Sequence, residues 1–402
     1  MIHILSDRSP PISRVSVPPT LLLPRSEFRT SRAGSKMPLL MHDPIHVTQP
    51  LIDVIASKEP FNVTLPSSGF QAPSKYELSG AARNPRLPLA MMHIPKTAGT
   101  SVAYDISDSL APARSIRGVD RSLYGICKAY PNVSISFYFE ATDMPADADL
   151  IIGHFSHHTL KTRYPDAQQI TFLREPVVRI LSHWVYWRNL PDEILARLGD
   201  WAILIKRSHL SLKEFLSDAS IACQIDNIVV RMLLWPGSGI LPDQFIEERL
   251  DHAVLAQAFE RLDSFSYTDV IENPLFAIHL GRWLGVPPPS SRINETAQVS
   301  EYLQLELESE LDDETFDLLW QRSRLDLQLW WALAERRLPG CDIEALRLKT
   351  IARGIARYAR LLGPTLSQRD SLRKERDILA ADRDGACNER DILAAGRDNK
   401  NA

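Results

Sequence analysis

Apolar positions fall into a regular pattern only from Leu87 onward. The stretch L-P-L-A-M-M-H-I-P, starting at Leu87, is a short apolar run that stops at small residues. Such a run suits a strand buried on both faces of a parallel sheet. Ser101 to Leu110 then carries helical spacing. Two more strands are predicted at Asp149–Phe155 (D-L-I-I-G-H-F) and Gln168–Leu173 (Q-Q-I-T-F-L). The second runs straight into a helix predicted over Pro176–Leu190. Its proline sits in the first turn, where a missing N–H removes no helical bond. After Asp200 the pattern is mainly helical, with a strand-like interruption near Ser264–Ile271. From Ser300 to Arg337 leucines and tryptophans recur at helical steps, which packs helices on the sheet. Strand, turn, helix, strand, strand, helix predicts an α/β fold with a parallel sheet flanked by helices.

The flanks read differently. Residues 1–86 are punctuated by prolines from Pro10 to Pro85, and no apolar period survives between them. Each proline removes a donor and turns its predecessor away from helix. This predicts a disordered N-terminal extension, or upstream sequence included by a misplaced start codon. At the other end Arg-Asp recurs at 369, 376, 383, 390 and 397, and Leu372, Leu379, Ala386 and Leu393 keep the same seven-residue step. That period predicts a C-terminal heptad tail over 365–400 that self-associates as a coiled coil. Gly385 and Gly396 thin its seam, and a solvated single helix or disordered repeat is the alternative. The catalytic unit expected between them spans 87–345.

Composition narrows the function classes. Lys and Arg number 46 against 50 Asp and Glu, a net charge of −4. That balance lacks the basic footprint of a nucleic-acid binder. The four cysteines, at 127, 223, 341 and 387, form no C-x-x-C pair, so neither a disulfide framework nor a cysteine-rich zinc site is expected. The longest N-terminal apolar run, Leu21–Leu23, is enclosed by prolines and is too short for a membrane span or a signal core. No transmembrane segment, a reducing compartment and a cytoplasmic location are therefore expected. Sequons at Asn62, Asn132 and Asn294 are read as unmodified.

Two segments carry candidate chemistry. The first, I-P-K-T-A-G-T-S from Ile94 to Ser101, lies between a predicted strand and a predicted helix. Small residues let the backbone bend round a ligand, and N–H groups at a helix start attract an anion. Lys96 adds a point charge, and Thr97, Thr100 and Ser101 add hydroxyls to a loop completed by Ala98 and Gly99. The spacing is not that of the triphosphate loop G-x-x-x-x-G-K-[ST]. The alternative is a plain strand-to-helix turn with a surface lysine.

The second segment, L-R-E-P-V-V-R-I-L-S from Leu173 to Ser182, is again a strand end followed by a helix start. The planar donor fork of Arg174, with the Ser182 hydroxyl two turns on, suits a second phosphate. An ion pair of Arg174 with Glu175 or another carboxylate is the alternative, and Arg179 lies on another helix face. Two anion sites at strand ends suggest one ligand with phosphates at both ends.

The pairing of H-I-P-K-T-A-G-T-S with T-F-L-R-E-P-V-V-R-I-L-S resembles the two cofactor signatures of the sulfotransferases. The likeness is to the branch related to heparan-sulfate O-sulfotransferases and bacterial carbohydrate sulfotransferases. It spans roughly residues 88–300, with looser likenesses in D-N-I-V-V-R-M-L (Asp226–Leu233) and R-I-N-E-T (Arg292–Thr296). The resemblance implies a P-loop-like core and 3′-phosphoadenosine-5′-phosphosulfate (PAPS) as donor, with no metal. By it, Lys96 to Ser101 bind the 5′-phosphosulfate, and Arg174 with Ser182 bind the 3′-phosphate. His154, after the glycine of D-L-I-I-G-H-F-S-H-H, becomes the general base in preference to His157 or His158. The acceptor implied is a hydroxyl, most simply on a glycan. A structural role for His154 and a three-histidine metal site are the competing readings, the latter without a companion carboxylate or cysteine pattern. Two other functions fit the same loop: a P-loop-type nucleotide kinase, or a non-catalytic nucleotide-binding protein assembled into a homo-oligomer through its heptads.

Overall fold

The computed structural model describes residues 82–120, 123, 137–138, 141–196, 198–237, 240–287, 289, 298–364 and 368. The expected N-terminal extension (save residues 82–86), nearly all of the heptad tail and the R-I-N-E-T block lie outside these residues.

Six strands form one sheet: β1 (Leu89–Met92), β2 (Ser115–Asp120), β3 (Phe137–Tyr138), β4 (Leu150–His154), β5 (Gln168–Leu173) and β6 (Tyr267–Val270). Their order is β3-β2-β4-β1-β5-β6, and every pairing is parallel. The expected α/β class, a parallel sheet flanked by helices, is what the structure shows. The chain leaves β1 toward one side of the sheet and returns to pair β4 with it. It then places β5 on the other side. This reversal is a topological switch point at the carboxyl ends of β1, β4 and β5, the place where open α/β sheets bind ligands.

Side-chain alternation explains why β1 is apolar throughout. Leu89 and Met91 enter the cluster on one face, while Ala90 and Met92 enter the cluster on the other. The first face is covered by α1 (Gly99–Leu110), through Val102, Ala103 and Ile106. The opposite face carries α2 (His157–Arg163) and α3 (Pro176–Arg188), and the larger core lies there. Helix α3 begins with Pro176, and the Glu175 carboxylate caps it by accepting the Val178 N–H at 2.7 Å. Its other sides are packed by α5 (Asp313–Arg337) and α6 (Ile343–Leu362), while α4 (Ile228–Leu234) packs against α2 and α5. That is why α3 is apolar on almost every side. Helix α6 continues the packed framework through Leu362, which is fully buried.

Strand β2 was not anticipated. Its sequence S-I-R-G-V-D buries Ile116, Gly118 and Asp120 but exposes Ser115 and Arg117, so it carries too little apolar signal to separate from a loop. Pairing with β4 from Ser115↔Leu150 to Val119↔His154 decides it. The two-residue β3 was likewise not among the predicted strands; the four that were nearly coincide with β1, β4, β5 and β6, and β5 does so residue for residue.

Candidate functional site

Three strand ends build the site. Beyond β1 the backbone turns sharply: Lys96 and Ala98 both adopt left-handed conformations, with φ of 69° and 59°. Such angles are costly for residues with a Cβ and cluster at ligand loops. The Thr97 side chain is fully buried, and its hydroxyl donates to the Ile94 carbonyl at 2.9 Å. Thr97 therefore closes the loop with its hydroxyl and offers a ligand only its backbone N–H. Helix α1 follows at Gly99 with no side-chain cap and no acidic residue in its first turn. Its leading N–H groups face outward with the positive end of the helix dipole uncompensated. Thr100 is exposed and Ser101 half-buried in that turn.

Gly99 is required by packing. A Cβ there would lie 2.0 Å from Cδ2 of His93, whose ring covers the glycine. The same ring stacks on His154, with centroids 4.5 Å apart. His154 ends β4, and its Nδ1 donates to the His93 carbonyl at 2.6 Å. A carbonyl only accepts, so Nδ1 carries the proton and Nε2 the lone pair. Burial lowers the pKa of His154 and Lys96 lowers it further, while the bond to His93 opposes them. The imidazole is thus neutral at physiological pH, as a base must be.

The ammonium of Lys96 stands 3.9 Å from the centroid of the Tyr186 ring. Burial brings its pKa down to about 7, with repulsion from Arg174 and Arg357 adding to the effect. Arg174, at the end of β5, donates to the Lys96 carbonyl and to the Tyr358 hydroxyl, each at 3.0 Å. The rest of its donor fork makes no further hydrogen bond among the described residues, and its charge pulls down the pKa of the buried Glu272. The expected alternative, an Arg174–Glu175 ion pair, does not form. Glu175 instead faces Arg347 at 3.8 Å, and its N–H donates to Glu272 at 2.9 Å. Burial raises the Glu175 pKa to about 7 against the pull of Arg347. Ser182 lies buried on α3.

The remaining candidates separate cleanly. His157 is buried at the start of α2, where its Nε2 lies 3.1 Å from Ser264 Oγ, and His158 is exposed. The three histidines thus point to different surroundings, and among the described residues no group of three or more His, Cys, Asp and Glu is placed to hold a metal ion. Arg179 is buried and directed at the carbonyls of Gln224 and Ile225. The D-N-I-V-V-R-M-L block has a structural task. Asp226 and Arg231 form a buried ion pair at 2.6 Å, and Asp326 caps α4 through the N–H groups of Val229 and Val230.

No family model matches the chain, and no curated protein matches it. Among the described residues no helix is long and apolar enough to cross a membrane. The site therefore stands on its geometry: Lys96, Arg174 and His154 lie at the ends of three neighbouring strands, with Arg174 bonded to the Lys96 carbonyl and Lys96 acting electrostatically on His154. His93, Tyr186 and Tyr358 complete it unannounced. His93 lies inside the first motif, and Tyr186 stands on α3, the helix that follows the second. Nothing in the local sequence ties Tyr358 to Arg174, 184 residues away.

Proposed function

We propose that this chain is a PAPS-dependent sulfotransferase with a P-loop-like core, moving a sulfuryl group to a hydroxyl acceptor on a carbohydrate. The observation that carries this reading is the meeting of Lys96, Arg174 and a neutral His154 at the carboxyl ends of three adjacent parallel strands. The donor set fits the ligand: an uncapped helix start, a lysine and a partly unengaged guanidinium suit a nucleotide with phosphates at both ends. Lys96 and the backbone from Thr97 to Ser101 hold the phosphosulfate end, and Arg174 with Ser182 holds the 3′-phosphate. When bound, the donor supplies the sulfuryl group.

The protein's part is positioning and charge. His154 Nε2 accepts the proton from the acceptor hydroxyl, and the hydrogen bond to the His93 carbonyl stabilises the imidazolium that results. Lys96 regains its full charge beside an anion and neutralises the oxygen on which charge develops. A cytoplasmic location and self-association through the heptads belong to the same proposal.

The test is incubation with labelled phosphosulfate and a panel of glycan, lipid and peptide hydroxyls, read by mass spectrometry for a sulfate increment. His154→Ala should abolish transfer yet leave adenosine 3′,5′-bisphosphate binding intact. Wild-type rates in that variant would remove the base assignment, and magnesium-dependent consumption of ATP would favour a kinase.

A further inference from the structure

Helix α6 lies far outside both motifs, yet it is fastened to the site at three levels. Arg347 faces Glu175, the cap of α3, at 3.8 Å. One turn before the site, Gly354 lets the helix close on α3, for a Cβ there would lie 2.9 Å from both methyls of Val178. Tyr358 then accepts the hydrogen bond from Arg174 at 3.0 Å. These contacts fix the backbone position of Arg357, the residue just before Tyr358. Its side chain is exposed and makes no ion pair or hydrogen bond among the described residues. Other arginines of the framework are engaged: Arg231 with Asp226, Arg324 with Asp251, Arg336 with Asp263.

We infer that Arg357 is a further anion-binding residue of the donor site, carried in by the C-terminal helix and gripping the phosphosulfate end beside Lys96. Arg174 bonds the Lys96 carbonyl on one side and Tyr358, the residue after Arg357, on the other, and among the described residues no carboxylate is hydrogen-bonded or ion-paired to Lys96, Arg174 or Arg357. Like charges held together repel, and an anion placed among them relieves that repulsion. The mutual effect is already visible in the depressed pKa of Lys96, to which Arg357 contributes. A guanidinium suits the task because its fork matches two oxygens of one phosphate. The inference rests on the sulfotransferase reading for the identity of the nucleotide, but the anion site itself does not.

Calorimetric titration of the full chain tests it, using adenosine 3′,5′-bisphosphate, adenosine 5′-monophosphate and inorganic pyrophosphate as probes. Arg357→Ala should weaken all three by about tenfold, the low end for a charge-assisted contact. Arg360→Ala, whose guanidinium bonds back to the Ala356 carbonyl of its own helix, should change them less than about twofold. Equal behaviour of the two variants overturns the inference and leaves the nucleotide reading standing. A loss confined to the bisphosphate overturns the placement beside Lys96. Pyrophosphate binding that needs Arg357 in a chain with no nucleotide affinity sustains the anion site and overturns the sulfotransferase reading. No binding of any probe by the wild type overturns both.

Discussion

The depressed pKa of Lys96 makes anion binding pH-dependent in a way that can be isolated. With a pKa of about 7 in the free protein, about nine-tenths of the lysine is charged at pH 6 and about one-tenth at pH 8. A bound anion raises that pKa. The lysine's contribution is therefore complete below pH 7 and is lost progressively as pH climbs toward the bound-state value. Affinity for adenosine 3′,5′-bisphosphate should fall about tenfold between pH 6 and 8, and about tenfold again by pH 9. Lys96→Arg provides the reference, because arginine stays charged throughout. Titration of the ligand phosphates and of Glu175, whose pKa also lies at about 7, is common to both proteins and cancels in the ratio of their Kd values. Isothermal calorimetry across pH 6–9 measures that ratio. At pH 8, buffers of different ionisation enthalpy should also show uptake of about one proton per ligand bound. Parallel profiles for the two proteins, or no proton uptake, would refute the reasoning that Lys96 is held near neutrality by burial and its arginine neighbours.

Two predictions concern the framework that holds the site. Gly99→Ala puts a methyl 2.0 Å from the His93 ring, so the ring must leave its stack on His154. We expect a loss of about 1–3 kcal/mol in urea unfolding together with slower transfer, and an unchanged midpoint would mean the ring swings away freely. Arg231→Met leaves the fully buried Asp226 without its cation. Denaturation should then register a loss of about 3–5 kcal/mol at neutral pH, and a loss under about 1 kcal/mol would contradict a structural role for this pair.

The relation between motif and site is instructive at particular residues. Lys96, Arg174 and His154 could be singled out because each lies at or just past the end of a strand whose burial leaves a near-continuous apolar signature, and because the ends of adjacent parallel strands meet at one edge. His154 could be separated from His157 only by its neighbours. Both are histidines within one short segment, but one meets the His93 carbonyl and the other Ser264. Thr97 looked like a hydroxyl donor, yet its side chain is spent closing the loop. Strand β2 escaped notice since its outward residues are polar and its partners distant in sequence.

By itself, then, the sequence determined the α/β class, the strands β1, β4 and β5, and the charged residues that leave them. These follow from local periodicity and from turn chemistry that depends on near neighbours. Tertiary structure decided the strand order, the protonated nitrogen of His154, the lowered pKa of Lys96 and the arrival of α6 with Arg357 and Tyr358. Those properties arise from contacts between segments separated by as many as 184 residues, and from burial that exists only once the layers close.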